Sequence, residues 1–140
     1  MTDSDDAILL AFDFGFRRIG VASANRRTQT ASPLKAVSNG SSLPWQALDA
    51  LIAQWQPVRL LVGLPSVDTE IGGAAAAFAH ALQARYSLNV TTVDETLTSR
   101  AARSELNMAR RGGLMKRKIK RTDVDSLAAC LIAEQWLRTQ

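Results

Sequence analysis

Hydrophobic positions fall along the chain in short runs broken by polar turns. Residues 7–12, AILLAF, are continuously apolar, the pattern of a central strand buried on both faces. Residues 18–24 predict a second strand after a turn containing Gly15. Residues 28–37 predict a third, in which Pro33 implies an edge or irregular position. The three together suggest a meander. A helix follows over 42–54, with Ser42 as its expected cap and Leu48, Leu51, Ile52 and Trp55 at helical spacing. VRLLVGLP at 58–65 predicts a short strand, and GGAAAAFAHALQARY at 72–86 a helix with Phe78 and Leu82 on one face. LNVTTVDE at 88–95 predicts another strand, and helices are expected over 98–110 and 122–137.

The order βββ-α-β-α-β-α-α is that of an α/β domain. Its later strands alternate with helices and are expected to be parallel. At 140 residues the chain suits one domain, 1–140, with no linker or repeat inside it. No apolar run is long enough to span a bilayer, so no membrane partner is expected. The opening MTDSDDA is acidic and polar, unlike a secretory or mitochondrial leader. Cys130 is the lone cysteine and can form no intrachain disulfide, so the cytoplasm is the expected compartment. His80, the lone histidine, reads as a helix-surface residue, and nothing around it resembles a nucleophile elbow.

Charge changes the picture. The formal net charge is +4, yet residues 110–121, RRGGLMKRKIKR, hold seven Lys/Arg and no acid. The remaining ten basic and thirteen acidic residues leave −3 elsewhere. One segment makes the protein basic, which points to a polyanionic partner; a solvated loop is the plainer alternative.

Acidic residues stand at three element ends. Asp13 ends the first strand, Glu95 ends the last strand beside Asp94, and Asp125 lies in the first turn of the last helix. Ligands of open α/β sheets sit outside the carboxyl ends of parallel strands, where Asp13 and Glu95 would meet. Asp125 lines up with Ala128, Ala129, Ile132 and Trp136, a core-facing stripe; Asp123 lines up with the more polar Ser126, Cys130 and Glu134. A structural reading stands beside this one. Thr122 and Asp125 could form a capping box, Arg17 or Arg18 could pair with Asp13, and Glu95 could be a surface acid. Together, three carboxylates without His or Cys make an all-oxygen site suited to Mg²⁺ or Mn²⁺. Two such ions, roughly 3.5–4 Å apart, support phosphodiester hydrolysis.

The stretches AFDFGFRRIGVA at 11–22, LLVGLP at 60–65, VDETLTSRAA at 93–102 and VDSLAACLIAEQWL at 124–137 together resemble the YqgF (RuvX) family of bacterial RNase H-like nucleases. The resemblance covers nearly the whole chain. It implies an RNase H-like fold, a five-stranded mixed sheet with the first strand central and the second antiparallel to it, flanked by helices. It implies a catalytic, metal-binding triad of Asp13, Glu95 and Asp125. It also implies action on phosphodiesters, either in processing the 5′ end of precursor 16S rRNA or in resolving four-way DNA junctions. Two positions depart from the family pattern. Thr96 stands where Arg usually follows the Glu, with Arg100 one helical turn on, and SVDTEIGG replaces an Asn-containing, glycine-rich loop after VGLP.

The leading expectation is therefore a nuclease using two Mg²⁺ or Mn²⁺ ions on structured RNA or branched DNA. Arg17, Arg18, Arg100, Arg110, Arg111, Lys116, Arg117, Lys118, Lys120 and Arg121 are its candidate nucleic-acid contacts. No clear dimer face is visible, so a monomer or weak homodimer is expected. A non-catalytic RNA-binding module in ribosome assembly is the alternative. A nucleotide phosphotransferase ranks last, because the DFG-and-hairpin start shared with actin-like kinases serves a fold of two closing domains.

Overall fold

The apolar run near the start of the chain lies at the centre of a five-stranded sheet. The computed structural model describes residues 7–66, 68–94 and 126–140. In chain order its elements are β1 (Ile8–Asp13), β2 (Arg18–Asn25), β3 (Thr30–Ser38), α1 (Trp45–Trp55), β4 (Arg59–Leu64), α2 (Glu70–Tyr86), β5 (Asn89–Asp94) and α3 (Leu127–Arg138). The strand order is β3-β2-β1-β4-β5. β1–β2 and β2–β3 pair antiparallel, while β1–β4 and β4–β5 pair parallel. The sheet is thus mixed, with β1 central and β2 antiparallel to it, as the resemblance implies, and the Pro33 strand lies at an edge, one of the two positions the pattern allows. The helix expected over 98–110 and the Thr122 cap lie outside the described residues.

Alternation along β1 divides the core in two. Leu10 and Phe12 pack with Leu60, Val62, Leu48, Phe78 and Leu82 under α1 and α2. Leu9 and Ala11 pack with Ala22, Leu61, Val93, Ala129 and Ile132 under α3. Covered on both faces, β1 has no polar side to show until Asp13.

Helix starts depart from expectation in instructive ways. α1 begins at Trp45 behind Pro44, and no side chain caps it. Ser42 is therefore not the cap: proline fixes its own φ and pushes the residue before it out of helical geometry. α2 begins at Glu70, with the Thr69 hydroxyl accepting from the Gly72 N–H at 3.0 Å. The two helices are tied by Asp49, which accepts both guanidinium bonds of Arg85 (2.8 and 2.7 Å) and the Tyr86 hydroxyl (2.6 Å). Arg85 also lies over the Trp45 ring, 4.7 Å from its centroid. His80 is exposed on α2, as expected. No described helix is long and apolar enough to cross a membrane.

The face assigned to Asp123 needs correction. Ser126 and Cys130 are buried, at 0% and 7% exposure, along with the expected Ala129 and Ile132. α3 lies so close to β1 and β2 that small side chains line its approach, and there Cys behaves as a small hydrophobe.

Candidate active site

Asp13 is the last residue of β1 and is half-buried. Leu9 and Ala11 belong to the α3 layer, so strand alternation places Asp13 on the α3 side of the sheet. Neither Asp13 nor Arg18 is without a partner in the fold. Leu64–Asp94 is the last paired row of β4 and β5, so both parallel neighbours also end at this edge. Val93 packs in the α3 layer. Asp94 therefore alternates to the other face and is exposed, which separates it from Asp13.

α3 approaches the same edge through Ser126. This residue takes the N-cap position, but its hydroxyl does not cap the helix. Instead the Oγ accepts from the buried Val21 N–H (3.0 Å) and donates to the Leu34 carbonyl (2.6 Å). The site is a β-bulge. Between the pairs Ile19–Val37 and Val21–Leu34, β3 runs one residue longer than β2, and the ladder register shifts. The hydroxyl bridges the two strands where the register breaks. Val21 pairs with Phe12 and Gly20 with Asp13, so α3 is anchored one residue row from Asp13.

The turn between β1 and β2 is held firmly. Asn39, just past β3, donates its backbone N–H to the Arg17 carbonyl (2.8 Å) and its side-chain amide to the Gly15 carbonyl (2.7 Å). A Cβ on Gly15 would stand 2.5 Å from the Arg18 carbonyl oxygen, so the turn closes only with glycine there. Phe16, Arg17 and Arg18 are all exposed on it.

Of the residues proposed from sequence, the structure describes Asp13, Arg17 and Arg18 and brings them to one end of β1. Glu95, Asp125, Arg100, Arg110, Arg111, Lys116, Arg117, Lys118, Lys120 and Arg121 lie outside the described residues. Among the described residues, no group of three or more His, Cys, Asp or Glu could hold a metal ion. The described member of the acidic set, Asp13, is a hard oxygen donor of the type Mg²⁺ and Mn²⁺ take. Sequence reasoning missed Ser126, Asn39 and Phe16. Ser126 follows Asp125 directly, and Phe16 stands between a turn glycine and an Arg-Arg pair. These were the available signals; Asn39, in a plain polar turn, left none.

Comparison with known proteins identifies the family and agrees with the fold. The family model described as RuvX, Holliday junction resolvase, matches residues 7–139. A protein of Legionella pneumophila (strain Paris) named "Putative pre-16S rRNA nuclease" is 45% identical over 136 residues, covering 94% of this chain and 95% of the relative. A protein of the same name from Marinobacter nauticus is 43% identical over 145 residues, covering 100% and 99%. Among solved structures, the fowlpox virus Holliday junction resolvase superposes with a TM-score of 0.62 at 11% identity, covering 95% of this chain and 99% of that one. Thermus thermophilus RuvC in complex with a Holliday junction gives 0.59 at 14% identity, covering 95% and 96%. At such identities these two likenesses speak for the fold, which is RNase H-like with a five-stranded mixed sheet. With its model matched from residue 7 to 139 and relatives alike over nearly their whole length, the chain belongs to the RuvX (YqgF) family.

Proposed function

We propose that this single-domain protein is a metal-dependent nuclease that hydrolyses phosphodiester bonds in structured RNA, at the 5′ end of precursor 16S rRNA. The observation that carries the reading is the end of β1. Asp13 stands at the carboxyl edge on the α3 side, one residue row from the Ser126 anchor, with exposed Arg17 and Arg18 on the adjoining turn. The names of the Legionella and Marinobacter relatives favour RNA as the substrate. The family description favours a second substrate, the four-way DNA junction.

In this reading Asp13, Glu95 and Asp125 would hold Mg²⁺ or Mn²⁺, as two ions. The metal would supply charge neutralisation at the phosphate and a lowered pKa for water. Asp13 contributes its carboxylate from a strand that cannot shift. Arg17 and Arg18 would contact phosphate near the scissile bond, and Lys116, Arg117, Lys118, Lys120 and Arg121 would hold the more distant backbone.

The test incubates the wild type and Asp13→Asn with a labelled precursor-rRNA fragment and a four-way DNA junction, with Mg²⁺, Mn²⁺ or EDTA. The expected result is cleavage of the RNA by the wild type, none with EDTA, and none by Asp13→Asn despite retained binding. Cleavage of the junction alone would move the substrate to DNA. Binding without cleavage in either protein would overturn the nuclease reading in favour of a non-catalytic RNA-binding module.

A further inference from the structure

Among the described residues Phe16 is the one large hydrophobic side chain that stays exposed, at 50%. A lone exposed apolar residue is ordinary on a protein surface. This one has three neighbours that make it unusual. It lies three residues from Asp13, it is followed directly by exposed Arg17 and Arg18, and its turn is held by Asn39.

The ring is also supported from below. Phe12 meets Phe78 edge to face with centroids 5.8 Å apart, and Phe78 lies against Phe14 at 5.1 Å. Phe14 in turn meets Phe16 edge to face at 6.1 Å. This series of four rings runs from the core to the surface at the carboxyl edge. Only its last member is open to solvent.

We infer that Phe16 is a stacking platform for an unpaired nucleobase of the strand that crosses the carboxyl edge at Asp13, an inference that rests on the nuclease reading. An exposed ring next to cations is the chemistry that takes a single strand: the guanidiniums hold phosphate and the ring takes a base face. Bases inside a duplex are already stacked on each other and offer no free face. Three residues of extended chain span at most about 11 Å. That span separates the Cα atoms; the Phe16 ring packs through Phe14 on the α1–α2 side while Asp13 faces α3, so the stacked base lies several nucleotides along the strand from the phosphate at Asp13. The substrate class is RNA or DNA with unpaired nucleotides near the cut.

The experiment measures binding by the wild type, Phe16→Ala and Phe16→Trp with Ca²⁺ replacing Mg²⁺ to keep the strands intact. The probes are single strands carrying 2-aminopurine and the matching full duplexes, each as RNA and as DNA. Melting curves confirm that both variants fold. Phe16→Ala is expected to weaken single-strand binding roughly 5- to 150-fold and to restore 2-aminopurine fluorescence. Duplex binding should be unchanged, and Phe16→Trp should behave as wild type. An effect confined to RNA or to DNA supports the platform and identifies which polymer it serves. Wild-type single-strand affinity in Phe16→Ala, or equal losses on single strand and duplex, would overturn it. Asp13-dependent cleavage is scored separately. Cleavage with no Phe16 effect leaves the nuclease and discards the platform, whereas Phe16-dependent stacking without cleavage keeps the platform and discards the nuclease.

Discussion

Replacing Ser126 by alanine tests how α3 is fixed to the sheet. The Ser126 side chain is 0% exposed and bonds to both β2 and β3. Alanine removes the acceptor from the Val21 N–H, and a buried donor left unpaired costs about 1–3 kcal/mol. It also removes the bond to the Leu34 carbonyl, a net loss of about 0.5–1.5 kcal/mol. The two together predict a destabilisation of about 1.5–4.5 kcal/mol, since the small gap left by one oxygen adds little. For a domain of this size that lowers the melting temperature by on the order of 10 °C. Urea unfolding should show a lower midpoint with the same slope, because the fold and its buried surface are retained. Amide exchange at Val21 should speed up beyond the general destabilisation, while amides of α1 follow it. A change below about 0.5 kcal/mol, within the range of an ordinary surface substitution, would refute the bridge as an anchor.

Two adjacent glycines and one ion pair give further predictions. A Cβ at Gly72 would stand 2.0 Å from the Ser66 carbonyl oxygen, whereas one at Gly73 meets nothing within 4 Å. Gly72→Ala should destabilise by about 1–3 kcal/mol and Gly73→Ala stabilise by about 0.5–1 kcal/mol, opposite signs readable by thermal melting. The hydrogen bond from Arg85, then that from Tyr86, lowers the Asp49 carboxyl from 3.8 to about 2. A carboxylate depressed in the folded state stabilises above its unfolded pKa, and that stabilisation fades as pH falls through the folded value. Asp49→Asn should therefore flatten the acid limb of stability between about pH 4 and pH 2 relative to wild type, and an unchanged limb would count against the pair.

The sheet was legible because each strand carried its own signal. AILLAF fitted a strand buried on both faces, and Pro33 suggested an edge or irregular position, the edge being where a missing N–H costs nothing. Asp13 was legible for the same reason, as a charge ending an apolar run. Helix starts were harder. Ser42 resembled a cap, but Pro44 imposed the start two residues further on, and backbone geometry prevailed over side-chain preference. Ser126 was misread because periodicity sorts residues by polarity, while its hydroxyl is used inside the sheet at a bulge. A bulge arises from the pairing of two strands, and no local pattern marks it. Asn39 was invisible on similar grounds: its partners Gly15 and Arg17 lie more than twenty residues earlier, and only tertiary contact joins them.

The carboxyl edge suits the chemistry proposed for it. Leu9 to Phe12 are at most 1% exposed, with one core above them and another below. A strand held this way cannot shift without breaking both cores, so the side chain at its end has a fixed position. Reacting groups need placement within about 0.5 Å, which elements of the scaffold provide better than loops do. The adjoining turn is tied by two hydrogen bonds from Asn39 and by the ring contact of Phe14 with Phe16, and it leaves Phe16, Arg17 and Arg18 exposed. On the proposed reading these exposed groups hold the substrate strand, which adapts to them. The same sequence thus separates two demands within six residues: Asp13 ends a strand that both cores immobilise, and Phe16 to Arg18 extend into solvent from a turn that a single asparagine ties down.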